Sequence, residues 1–181
     1  MLTRKEYVEA QAKAAEMIRK AGIAITEEEA QNIEVVDFGL GHLAVEGAQI
    51  LTFFSTARVS VKVIALFPYQ TEPEHWHPSI GDDPGKEETI RVVWGTVRFY
   101  LPGEPTASSD AIPPGKESFY TVRHEVLLHP CQQLTIEPAT KHWFKAGPEG
   151  AVMYSFSTCA RDVMDRFSDP AVVRTPQIIE G

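Results

Sequence analysis

The chain has 181 residues, enough for one domain with a sizeable core, and 43% hydrophobic with 9% aromatic residues places it among ordinary globular proteins rather than disordered ones. A formal net charge of -8, with no lysine- or arginine-rich stripe, argues against a nucleic-acid backbone or an anionic membrane as partner and makes a neutral or cationic small molecule easier to accept. The charged start MLTRKEYVEAQAKAAEMIRK lacks the apolar stretch of a signal peptide, no apolar run could span a bilayer, and Cys131 and Cys159 stand alone, so the expectation is a cytoplasmic protein without a disulfide framework.

Residues 4–20 put Tyr7, Ala10, Ala14, Met17 and Ile18 on one helical stripe, with Thr3 and Glu6 as a capping box and Gly22 placed to end the helix. Thr26 with Glu29 repeats the box ahead of a short second helix. Both helices read as packing elements, laid over a sheet or set at a subunit interface. From about residue 34 the segments become short and rich in Val, Ile, Phe and Thr, with Gly and Pro between them. Strands are expected near 34–38, 49–54, 60–67, 73–77, 88–94, 97–101, 118–122, 126–128, 133–137, 142–145 and 151–157, with PGEPTASSDAIPPGKES at 102–118 as a loop. The pattern predicts a mainly β sandwich or barrel of antiparallel strands, one domain over 1–181 with residues 1–33 as a helical segment packed on it. Both cysteines read as small, partly buried hydrophobes.

The segment PEHWHPSIGDDPGKEETIRVVWG, 73–95, carries the chemistry. His75 and His77 share one face of an extended strand while Trp76 takes the other. Glu88 heads the apolar set Ile90, Val92 and Trp94, where an unpaired carboxylate would suffer heavy desolvation and a metal would supply a partner. Strand alternation favours Glu88 over Glu87, which falls on the solvent face. Among the remaining histidines, His42, His124 and His129 sit beside turn signals, whereas His142 opens a strand in IEPATKHWF. Three imidazoles and one carboxylate form a partial octahedron for Mn, Fe, Co, Ni or Zn, with positions left for substrate oxygens.

HWH, Glu88 and Gly95 resemble the first cupin motif, with PSIGDDPGKE as a longer insert, and PATKH at 138–142 resembles the second. Together they look like a cupin, a double-stranded β-helix or jelly-roll barrel with one metal in its mouth. Within the cupins, QTEPEHWH, GKEET and EPATKHWFKAG resemble the D-lyxose isomerase family, over roughly residues 58–160. The resemblance implies His75, His77, Glu88 and His142 as metal ligands, manganese as the usual metal and a homodimer. It also implies an aldose–ketose isomerase turning D-lyxose into D-xylulose and D-mannose into D-fructose, through a cis-enediol or a hydride shift.

The family further implies a catalytic lysine on the strand leading to the histidines, and SVKVIALFPYQ offers Lys62 there, either buried in the barrel or snorkelling at its rim. A buried lysine near a divalent cation is a proton donor or acceptor near neutral pH. For the second acid-base group Asp162 is taken, with Asp165, Glu74 and Glu137 as competitors. Sugar hydroxyls need polar partners around an aromatic wall; Gln70, Lys86, Trp76, Tyr100 and Phe144 are candidates by position, each aromatic having barrel core as its alternative. The competing functions are a cupin of another class, such as a phosphosugar isomerase or an Fe-dependent dioxygenase, and a non-catalytic sugar-binding cupin.

Overall fold

The computed structural model describes residues 2–175 and 177–180, with Ser109 described in its backbone alone. Both capping boxes form. The Thr3 hydroxyl accepts the Glu6 N–H at 3.2 Å and the Glu6 carboxylate accepts the Thr3 N–H at 2.9 Å, which starts α1, Arg4–Lys20. Thr26 and Glu29 do the same for α2, Glu27–Gln31. The helix α1 buries Ala10, Ala14, Ala15 and Ile18 with Leu51, Val63, Ala65 and Val152 of the sheet. Three alanines in that face let the helix axis lie close to the strands.

The first strand, β1 (Leu2–Thr3), pairs in parallel with the last, β11 (Ile178–Ile179). Between them lie β2 (Glu34–Val36), β3 (Ala48–Ser55), β4 (Val59–Leu66), β5 (Thr71–Trp76), β6 (Glu88–Leu101), β7 (His124–Leu128), β8 (Gln133–Ile136), β9 (His142–Thr158) and β10 (Arg166–Phe167). These nine form one antiparallel sheet in the order β10-β5-β9-β4-β3-β2, and β6 runs along the other edge of β9 while carrying β7 and β8 on its own far edge. The curled sheet is a mainly β jelly-roll barrel with helices at the N-terminal end, as the motifs implied.

Two of the strands belong to both walls. The strand β9 pairs with β5 near His142 and with β4 from Ala151 onward, and its register against β6 jumps from Val97↔Ala146 to Gly95↔Ala151. That bulge bends β6 and β9 together at a corner, so the stretches expected as four short strands are the halves of two long ones. Gly95 is needed there. Its φ is +75°, and an added Cβ would lie 2.0 Å from the Gly150 carbonyl oxygen.

The barrel interior is filled by Ile50, Ile64, Leu66, Ile90, Val92, Phe99, Phe144 and Met153 among others. On β4, Ile64 and Leu66 face this core while Val63 and Ala65 pack under α1, so both faces of the strand are apolar and Lys62 is the exception. Three local expectations fail. Residues 118–122 are not a strand, because the backbone N–H groups of Thr121 and Val122 donate to the Glu74 carboxylate instead of a neighbouring strand. A register shift between Val92 and Trp94 turns Trp94 out to the cluster under α1. Cys131 is exposed, at φ +72° in the turn between β7 and β8, rather than partly buried; Cys159 is half-buried.

Candidate active site

His75 on β5 and His142 at the start of β9 are cross-strand partners, and His77 follows His75 on the same inward face. Their ring centroids lie 4.2 Å (His75–His142), 5.1 Å (His77–His142) and 5.2 Å (His75–His77) apart. One ring nitrogen from each lies within 4.8 Å of the others, the arrangement of a group that could hold a metal ion. Nδ1 of His75 donates to the Pro73 carbonyl at 2.8 Å and Nδ1 of His142 to the Thr140 carbonyl at 2.9 Å. A carbonyl only accepts, so these nitrogens carry the hydrogen and leave the Nε2 lone pairs free, as in metal-bound imidazoles. Nε2 of His142 is buried without any hydrogen-bond partner. Burial first, then the neighbouring His77, pushes the His142 ring down to about 3, and burial holds His75 well below its ordinary value, so both rings are neutral, the form that could bind a metal.

His77 differs. Its Nδ1 lies 2.8 Å from Asp165 Oδ1 and its Nε2 3.2 Å from Glu88 Oε2. Burial would lower this ring's pKa, but the two carboxylates raise it. Glu88 is buried at the head of β6 while Glu87 is exposed, as the alternation required. The Ser155 hydroxyl donates to Glu88 Oε1, and Lys86 Nζ lies 3.3 Å from Oε2. Burial alone would raise the Glu88 carboxyl; Lys86 and His77 override it and hold it well below the usual carboxylate range. Adjacent donors around a divalent ion with bonds of about 2.1 Å sit about 3 Å apart, so the Glu88–His77 separation suits two ligands of one ion. Imidazole nitrogens with a carboxylate oxygen, and an orphaned buried nitrogen among them, fit a divalent transition metal.

Lys62 projects from β4 into the same cavity and is 6% exposed, so it does not snorkel. Its ammonium donates to Asp162, whose other oxygen is 3.6 Å from Lys86. Burial would raise the Asp162 carboxyl, but Lys86 and Lys62 hold it below its ordinary value. Asp162 reaches the mouth because the chain after β9 folds back across it. A 3-10 turn, Asp162–Met164, is followed by β10, which pairs Phe167 with His75. Farther along, Arg174 grips Glu34 at 2.7 and 3.1 Å and approaches Asp162 at 3.7 Å.

Of the expected sugar contacts, Lys86 and Phe144 line this cavity. Gln70, Tyr100 and Trp76 do not. The Gln70 amide is buried in the turn after β4, accepting the Phe67 N–H at 2.8 Å and donating to the Leu43 carbonyl, a structural clasp away from the mouth. Tyr100 is stacked on Trp143 at 3.7 Å with its hydroxyl on Glu125, in a separate apolar cluster. Trp76 takes the outer face of β5, under Lys141 at 5.1 Å. Asp165 serves His77, Glu74 is buried against Thr121, Val122 and Ser168 and does not line the cavity, and Glu137 is exposed. The sequence reading missed Glu72, Ser155 and Arg174. Glu72 had a signal: Pro73 inside a strand marks a bulge, and the register shift between Glu72 and His75 turns both inward.

No family model matches the chain. It is 55% identical over 174 residues, 96% of each chain, to a D-lyxose ketol-isomerase from Cohnella laeviribosi. The chain belongs to the D-lyxose ketol-isomerase family. A second member, a D-lyxose/D-mannose isomerase from Thermosediminibacter oceani, is 49% identical over 98% of this chain and 99% of its own. The chain is therefore an enzyme, an aldose–ketose isomerase. Among solved structures, L-ribose isomerase of Cellulomonas parahominis shares the fold, with a TM-score of 0.83 at 18% identity over 98% of both chains. Among the described residues of this ketol-isomerase family member, no helix is long and apolar enough to cross a membrane.

Proposed function

We propose that the protein is a metal-dependent D-lyxose isomerase that also converts D-mannose to D-fructose, with His75, His77, Glu88 and His142 holding one Mn²⁺. The observation that carries the reading is the cluster of three inward histidines, of which His75 lines the same cavity as Glu88 and the Lys62–Asp162 pair. The names of the relatives support the substrates, and the resemblance supports the metal. A divalent cation held there supplies Lewis acidity toward a carbonyl oxygen, which acidifies the neighbouring C–H.

The protein's own groups do the proton work. The open-chain aldose lies with C1 and C2 toward Lys62 and Asp162. The Asp162 carboxylate removes the hydrogen at C2 and returns it to C1, and Lys62 Nζ passes a proton between O1 and O2, so a cis-enediol forms and collapses to the ketose. Lys86 and Arg174 keep the Asp162 charge in place, and Asp165 fixes the ring of His77. Lys62, Lys86 and Arg174 are all engaged by carboxylates, which disfavours a phosphosugar in this cavity. The cavity has about 20 Å³ of free volume, room for about one water molecule. A pentose enters when the segment carrying Asp162 and Arg174 parts from the mouth. A homodimer and a cytoplasmic location, both implied by the resemblance, belong to this proposal.

The test is a panel of aldoses with metal-stripped and Mn²⁺-restored protein, read by ketose formation. Turnover of D-lyxose that disappears on stripping and returns with Mn²⁺ is expected; no ketose from any pentose or hexose in the restored protein sinks the reading.

A further inference from the structure

Glu72 stands on the barrel wall, on β5, and faces the cavity. The other carboxylates lining that cavity have partners: Asp162 holds Lys62, Asp165 holds His77, and Glu88 holds Ser155 and Lys86. Glu72 Oε2 is buried and has no hydrogen-bond partner among the described residues. Its Oε1 lies 3.9 Å from His75 Nε2. A buried carboxyl oxygen left without a hydrogen-bond partner costs on the order of 1–3 kcal/mol, more if charged, so the arrangement favours the arrival of a polar group. Every nearby cation is committed elsewhere. A ligand hydroxyl fits the vacant oxygen. A carboxylate oxygen accepts a hydrogen bond from such a hydroxyl.

We propose that Glu72 is a substrate-contacting, specificity-determining residue whose Oε2 hydrogen-bonds one hydroxyl of the sugar beyond the C1–C2 pair. The proposal rests on the isomerase reading above and deepens it. A site that pairs a buried polar group with one hydroxyl rejects the analogue lacking it, because the group is then left unsatisfied. Glu72 would thus help to read the configuration of the carbon that bears that hydroxyl.

The test uses the Mn²⁺-loaded full chain as wild type, Glu72→Gln and Glu72→Ala. Calorimetry gives Kd for the open-chain pentitol obtained by reducing D-lyxose and for its 3-, 4- and 5-deoxy forms, and bound metal is counted in each protein. Glu72→Ala is expected to bind the pentitol roughly 10- to 100-fold more weakly, with bound metal unchanged. Glu72→Gln, which keeps an acceptor and the shape, should lose less. One deoxy form should bind wild type weakly and Glu72→Ala no worse than the parent pentitol does. An unchanged Kd in Glu72→Ala and Glu72→Gln, equal losses for all deoxy forms, no binding of the pentitol to wild type, or loss of metal from Glu72→Gln would each overturn the proposal. Wild type that binds the pentitol but converts no aldose sinks the isomerase reading alone, and the Kd series still decides Glu72.

Discussion

Glu74 is next to His75 in the chain and was a candidate for the acid-base role, yet its surroundings assign it to holding the mouth together. Its carboxylate accepts the backbone N–H groups of Thr121 and Val122, the latter at 2.8 Å, and the hydroxyls of Thr121 and Ser168, with Lys141 at 3.5 Å. It joins β5 to the loop before β7 and to the segment that carries Asp165. In Glu74→Ala the hydroxyls rotate to water, but two backbone donors lose their acceptor at about 1–3 kcal/mol each; with Thr121 exposed and partly rehydrated, the loss should be about 2–4 kcal/mol. For a chain of this size that is a fall in Tm of roughly 4–16 °C. Glu74→Gln can keep its oxygen on the two N–H groups and turn its NH₂ to the hydroxyls, so it should cost only about 1 kcal/mol. Scanning calorimetry, with initial rates on D-lyxose well below Tm, is the assay. Glu74→Gln should turn over within about twofold of wild type. A hundredfold loss of kcat in Glu74→Gln at unchanged Tm, or an unchanged Tm in Glu74→Ala, would refute this assignment.

Ser155→Ala removes the hydroxyl that orients Glu88 and should weaken metal binding about 10- to 100-fold with the fold intact, measured by equilibrium dialysis; unchanged affinity would separate Ser155 from the metal site. Gly95→Ala should lower the urea midpoint sharply, since its left-handed backbone alone costs about 1–2 kcal/mol and the collision with Gly150 adds to that; a stable variant would mean the corner can move. Tyr100→Phe should leave kcat/KM within about twofold while losing on the order of 1–3 kcal/mol of stability with the hydrogen bond to Glu125, and a large loss of activity would return Tyr100 to the sugar site.

What could be read from the sequence was local. Thr3 and Glu6, or His75 and His77, meet through spacing along one element, and the side of β6 on which Glu88 falls follows from alternation. What could not be read depends on distant chain segments. Gln70 looked like a mouth residue, but its amide is captured by Leu43, a contact the alternation of strands says nothing about. Thr121 and Val122 carry a strand-like pattern, and only the carboxylate of Glu74, brought in from β5, diverts their N–H groups. Arg174 enters the cavity because the chain after β9 folds back, and no periodicity announces that. Glu72 was legible in part, through the strand proline beside it, which breaks the alternation that would otherwise have turned it away from His75.

The measurement that bears most directly on the proposed chemistry is kcat for D-lyxose in Mn²⁺-loaded Lys62→Met, a variant that keeps the length and burial of the side chain and removes its proton. A fall of about 10²- to 10⁴-fold, with metal content and fold unchanged, is expected of a group that moves a proton in the reaction. Turnover at the wild-type rate would contradict the assignment of the Lys62–Asp162 pair as the proton-transferring centre.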